Sequence, residues 1–410
     1  MKNSKNLDKW RFWPIIILAF NYLANVNIIG LIIPIYFFRM GISSEFIGVV
    51  AAGTTLTYIL SPILLNKFSE KWRRKTSIII AMGGTSIAQI LFYFTLQPIP
   101  FLIARMTEGI FMGFFWTNLQ SSISDNIHHN HKKMTTLYNF SWNAGCLFGF
   151  ILGAIITLNF PDITLLFMIS PIFIFMNLFI SIFIFQEPKK INIDSAHMKS
   201  VDIEQNQNNS QIQNKDLNKI EKNYEFNEIS FPIVYPVLLL IVFSLTKGVI
   251  GFIFPMKSEF LNIKVPAVYS AIFFLGLTQS ISMTLVSPIK LRTLKTITKI
   301  SITALAFLLV LMGLNTNYFL FIVLFILIGC CAGTLYGLVL RLILNLNMKK
   351  NTSKYSSSFE SFIGLNFLLS SVISGFVIGF NLDLMFYLLF IIFIAIALVL
   401  IIFLDKRIKF

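Results

Sequence analysis

Charge is scarce in this chain. Asp, Glu, Lys and Arg make up 12% of its 410 residues while 56% are hydrophobic, where soluble domains carry about 25% charged residues. With so little polar surface, a soluble enzyme, a nucleic-acid-binding module and a disordered tail protein are excluded. Cysteine is scarcer still. Cys146, Cys330 and Cys331 all lie in apolar runs, an odd set without a Cys-x-x-Cys pair or nearby His, so neither a disulfide framework nor a metal site is built from them. Of the four histidines none falls in an apolar run, which leaves a membrane-embedded enzyme without its usual proton carriers. His128, His129 and His131 read as a solvated hairpin, because no acid or Cys beyond Asp125 completes a ligand set. There is no Gly-x-x-x-x-Gly-Lys-Ser/Thr loop, so ATP coupling within the chain is excluded and no cofactor is implied.

What the chain has in quantity is long apolar runs, with 44 Phe and a mean hydropathy of +0.77. Twelve runs stand between charge clusters, at about 13–38, 46–66, 76–96, 99–123, 135–157, 163–185, 232–256, 266–288, 297–314, 317–345, 356–380 and 383–404. Each matches the roughly 20 residues of a membrane-crossing helix and is twice the length of a barrel strand. The basic N-terminus (Lys2, Lys5, Lys9, Arg11) leads into a run longer than a signal-peptide core, so it reads as a retained first span.

The net charge of +15 reports orientation. With the N-terminus inside, 28 of the 33 Lys and Arg fall on cytoplasmic segments. Arg39, Lys257 and Lys264 fall outside, and Arg105 and Lys247 within spans. An even span count with both termini cytoplasmic follows, in a multi-pass protein of the plasma membrane. Residues 186–231 hold eight of the 18 acids and the run Gln205-Asn206-Gln207-Asn208-Asn209. They form a polar cytoplasmic linker between an N-terminal part, 1–185, and a C-terminal part, 232–410; the linker is too polar to fold as an output domain, which weighs against a non-transporting sensor.

The two parts repeat. Gly30-x-x-x-Pro34 in the first span matches Gly251-x-x-x-Pro255 in the seventh, Ser61-Pro62-Ile63 matches Ser287-Pro288-Ile289, and Phe140-x-x-x-x-Gly145 matches Phe359-x-x-x-x-Gly364, at offsets of 221, 226 and 219 residues. An all-α membrane protein of two pseudo-symmetric six-helix bundles, with a substrate site between them, is the expected fold.

The loop Phe68-Ser69-Glu70-Lys71-Trp72-Arg73-Arg74-Lys75 resembles the signature loop of the major facilitator superfamily, with Asn66 and Arg73 where that family has glycines. Arg105-x-x-Glu108-Gly109-x-x-x-Gly113 is similar to the family's fourth-span motif, with Glu in place of Gln. Gly145-x-x-x-Gly149-x-x-x-Gly153 resembles the motif of its antiporters, although Phe150 replaces the diagnostic Pro. The resemblance implies a monomeric secondary transporter that works by alternating access, with Glu70, Arg74 and Asp125 as a cytoplasmic gate. Positive-inside anchoring alone would also account for that loop.

Arg105, Glu108, Met112 and Trp116 share one helix face. An ionisable pair within a span must face protein or water, either as a proton-coupling site or as a structural ion pair. Lys247 either snorkels or faces the cavity. Glu360 is an interfacial charge or a coupling site. Asn21 and Asn25, Tyr58 and Gln279 lie in polar stripes that suit a cavity lining or helix-to-helix hydrogen bonds. The expected activity is proton-coupled movement of a small organic solute, directed toward efflux of amphiphilic compounds. The alternative is uptake or exchange of an anionic metabolite through Arg105 and Lys247.

Overall fold

A computed structural model describes residues 2–94, 96–124, 131–187, 231–286, 289–350 and 354–404, and every regular element among them is helical. Before residue 188 these are α1 (Lys2–Gly30), α2 (Ile32–Arg39), α3 (Ser44–Lys71), α4 (Arg74–Phe94), α5 (Pro98–Ser124), α6 (His131–Asn159) and α7 (Leu165–Phe183). After residue 230 come α8 (Val234–Phe260), α9 (Val265–Val286), α10 (Leu291–Leu314), α11 (Tyr318–Lys350), α12 (Lys354–Ile378) and α13 (Leu384–Val399), which runs on as a π-helical turn, Leu400–Leu404. The first apolar run breaks at Leu31 into α1 and α2. Pro34 lies three residues on and lacks the amide that would bond the carbonyl of Gly30, so the break follows from the sequence.

Among the described residues, eleven segments are long and apolar enough to cross a membrane. Twelve are expected, and the one left over is the third, which coincides with α4. That helix opens on Arg74 and Lys75 and buries Ser77, Thr85, Ser86 and Gln89. Its hydroxyls at Thr85 and Ser86 bond carbonyls one turn back on the same helix, and Gln89 bonds Asn25 of α1 and Glu108 of α5, so these residues are buried polar groups that shorten its apolar length.

Within the N-terminal group, α5 lies against α3 and α4, and α1 against α6 and α7. Within the C-terminal group, α9 lies against α11, α10 against α13, and α8 against α12. Small residues set these approaches: Gly109 of α5 sits on the Thr54 carbonyl and Thr57 hydroxyl of α3, and Gly333 of α11 on the backbone of Gln279 in α9. The groups meet where α3 touches α12, α6 touches α9, and α2 touches α8.

These meetings are concentrated toward one end of the bundle, the end where α2 and α8 finish. There Arg39 donates two hydrogen bonds to the Glu259 carboxylate at 2.7 and 2.9 Å, and the rings of Phe38 and Phe260 lie 5.1 Å apart. The Tyr269 hydroxyl donates to the carbonyl of Ile28, and Gly48 meets Ser371 and Gly375. One buried apolar cluster runs from Ile28–Val50 through Phe150 into the whole C-terminal group. The second contains Phe12, Tyr22, Phe115, Trp116, Ile123 and Met134, and holds no residue beyond Phe185. Among the described residues the groups are therefore joined at the Arg39 end, and the second cluster belongs to the N-terminal group alone.

Lys257, expected in an outside loop, is instead 3% exposed in the last turn of α8. Its ammonium donates to the carbonyls of Met312 and Gly313, at the end of α10, and to Asp383, ahead of α13, at 2.6–2.9 Å. A lysine on terminal carbonyls suits the negative end of a helix, so this contact ties three helix ends together. In the turn before α7, Asp162 accepts from the amide and hydroxyl of Thr164 at 2.9 and 2.7 Å, bonds that hold its carboxyl below the usual range.

The Arg39–Glu259 pair is bidentate but surface-placed, with Arg39 44% exposed. Exposed pairs contribute about 0.2–1 kcal/mol and weaken with salt. An Arg39→Ala variant is expected to shift the balance at this end by less than about tenfold. Spin-label distances across the end, recorded at low and high ionic strength, should show the wild-type difference from the variant shrinking as salt rises.

Candidate functional site

The central feature is a polar chain inside the N-terminal group. Glu108, 2% exposed on α5, accepts from the Arg105 guanidinium one turn earlier on the same helix. Its other oxygen accepts from the Gln89 amide of α4 at 2.9 Å, and the Thr54 hydroxyl of α3 approaches to 3.5 Å. Gln89 and Asn25 of α1 exchange amide hydrogen bonds at 2.7 and 3.0 Å, and Asn25 donates onward to the Ser170 carbonyl of α7. Four helices are thus linked by one line of hydrogen bonds from a carboxylate to a backbone carbonyl. Asn21 forms a second link, donating to Asn177 of α7 at 3.1 Å, while Asn177 donates back to the Leu18 carbonyl at 3.0 Å.

Asn21 and Asn25 were candidates for a cavity lining; both are buried between helices of one group instead. The helix-to-helix reading explains their spacing, since an amide on a membrane helix gains from a partner across the interface. Trp116 is likewise buried, edge-on to Tyr22 at 5.3 Å and to Tyr138 at 6.4 Å, and Met112 packs beside them. The amides of Gln89 and Asn25 can each donate and accept, so the line can carry hydrogen bonds in either sense between Glu108 and Ser170.

A second place lies between the groups. Lys247 of α8 is half-buried where α8 faces α6. It stands within electrostatic reach of Cys146 on α6, which in turn is in hydrogen-bonding reach of Asn27 on α1. One turn toward the Arg39 end, Gly251 has nothing within 4 Å of the place a Cβ would take, whereas Gly248 is pressed on Ser370 of α12. Asn143, one turn before Cys146, accepts from Ser280 of α9 at 2.9 Å. Tyr58 lies against Gly364 of α12. Gln279 is 4% exposed, and its Oε1 finds no hydrogen-bond partner among the described residues.

Of the expected gate, Asp125 lies outside the described residues, as does the side chain of Glu70; the His cluster and Glu360 fare the same. Arg74 is described, and its backbone amide donates to Glu187 at 2.6 Å. Glu187 thereby puts a carboxylate at the N-terminus of α4, a role its place in a polar linker gave no reason to expect. Gln89 and Asn177 were also passed over. Each is the one amide side chain in its helix, and that was the available signal.

Residues 15–314 match the profile of the Major Facilitator Superfamily. No curated protein matches the sequence. Among solved structures, the fold is similar to the crystal structure of the nucleoside transporter NupG, with a TM-score of 0.66 at 13% identity over 95% of this chain and 98% of that one. A single-residue mutant of NupG gives 0.67 at 16% identity, over 97% and 100%.

Proposed function

The chain belongs to the Major Facilitator Superfamily and is a multi-pass membrane transporter, not an enzyme, and from that premise we propose that it moves a small organic solute across the plasma membrane by proton-coupled alternating access. Residues 1–185 and 232–410 are the two rocking units and 186–231 their cytoplasmic tether. On this reading α4 is the twelfth crossing and both termini are cytoplasmic. The bias of Lys and Arg then puts the fused Arg39 end outside, making this an inward-facing state. Abundant aromatic residues, 15% of the chain, support an amphiphilic cargo and export.

The observation that carries proton coupling is the buried Glu108, held by one cation and one amide in a line that spans four helices. The carboxylate is contacted by Arg105 on its own helix and by Gln89 of α4, and Thr54 of α3 stands beside it. A change in the spacing of α3 and α5 alters these contacts, because Thr54 and Gly109 meet beside the carboxylate. Glu108 is thus the proton carrier and Arg105 the group that sets when it lets go.

Proteoliposomes reporting internal pH, challenged with a panel of nucleosides, aromatic carboxylates and aromatic amines, test this. Wild type is expected to show solute-dependent proton flux, and Glu108→Gln to lose it while still exchanging solute. PH-gradient-driven accumulation that survives in Glu108→Gln would remove the proton from this site.

A further inference from the structure

Within the spans, cations are generally matched. Arg39 has Glu259, Arg105 has Glu108, Lys257 has Asp383 and two carbonyls, and Arg341 donates to the Ile289 carbonyl. Lys247 has no hydrogen bond or ion pair among the described residues, although it sits deep between the groups. Among the described residues no acid pairs with it: Glu108, Glu259 and Asp383 are each paired with the cations just named. Its neighbours from α6 and α1, Cys146 and Asn27, are neutral. One turn on along the same helix, nothing lies within 4 Å of the place a Cβ on Gly251 would take, which leaves open space on α8 beside it.

We propose that this space between α6 and α8 binds the carboxylate of a singly charged organic anion, with Lys247 as its counter-charge. The inference rests on the transporter reading and names the solute class for it. A lone ammonium in a low-dielectric interior attracts an anion far more strongly than it would in water. One lysine neutralises one negative charge, so a dianion would leave the second uncompensated, and a cationic solute would meet repulsion from Lys247. The apolar part of an amphiphilic carboxylate would lie along α8 in the open space beside Gly251.

Cys146 serves as a reporter of this charge. In full-length protein carrying Cys330→Ser and Cys331→Ser, Cys146 would be reacted with methanethiosulfonate reagents bearing a sulfonate or a trimethylammonium group. Relative to a free small thiol, the anionic reagent is expected to be favoured. Lys247→Gln should reduce that preference by about tenfold, whereas Lys247→Arg should keep it and so control for misfolding. Benzoate and a set of aromatic and aliphatic monocarboxylates should slow modification in wild type and not in Lys247→Gln, and benzamide should not. A reagent preference unaffected by Lys247→Gln, protection by benzamide equal to that by benzoate, or protection by none of the carboxylates would overturn the proposal. If the charge preference and protection hold but wild-type proteoliposomes move no solute at all, the anion site stands and the transporter mechanism falls.

Discussion

An Arg105→Ala variant should lose about 3–5 kcal/mol of stability, because it strands the buried Glu108 carboxylate without its cation. The Gln89 amide cannot replace a full charge, so the line that joins α5 to α4 and α1 would be weakened at its anchor. Thermal unfolding in detergent should show a large drop for Arg105→Ala and recovery of most of it in Arg105→Met/Glu108→Gln, where both charges are gone and the shapes are kept. Equal melting of the single variant and wild type would mean that the pair is not held in the dry environment described here. The prediction separates two roles of one residue: the double variant should fold and yet carry no proton.

The second large effect is expected at Gly48. A Cβ there would stand 2.7 Å from the Ser371 carbonyl and 3.0 Å from the Cα of Gly375, both on α12. Neither is the yielding end of a flexible side chain, so Gly48→Val must push α3 from α12. Overpacking of this kind costs about 1–3 kcal/mol, which at about 1.4 kcal/mol per tenfold is a five- to hundredfold shift against the state closed at the Arg39 end. Spin labels at Met40→Cys and Leu261→Cys would read the result as a move from one short distance to a distribution dominated by a longer one. If the short distance persists with the protein intact, the approach of Gly48 to Gly375 does not hold that end shut.

The spans were legible because lipid leaves few ways to satisfy a backbone, and apolar length is what that solvent selects. The break at Leu31 could be read from Pro34 in the same way. What could not be read was partnership. Asn25 and Gln89 are 64 positions apart and Lys257 and Asp383 are 126 apart, and no local pattern announces such pairs. Lys257 looked like a loop charge because a lysine near a span end commonly snorkels; its burial depends on where α10 ends, a fact held in another part of the chain. α4 fell short of an apolar span because its amides and hydroxyls face protein. For the Arg105–Glu108 turn the pairing was legible, being three residues apart on one helix, but its confinement among α1, α3 and α4 was not.

The hydrogen bond from Tyr269 to the Ile28 carbonyl has a consequence for water. Ile28 belongs to the last turn of α1, just ahead of the break at Leu31, and Tyr269 is fully buried against Gly153 of α6. Drawing the groups apart at that end pulls a phenol stopper off a backbone oxygen. Left dry, that oxygen would penalise the opened form by about 1–3 kcal/mol, so a water molecule has to follow the phenol in. On the alternating-access reading proposed above, wetting of the joint between α1 and α2 and withdrawal of Tyr269 would then be one event.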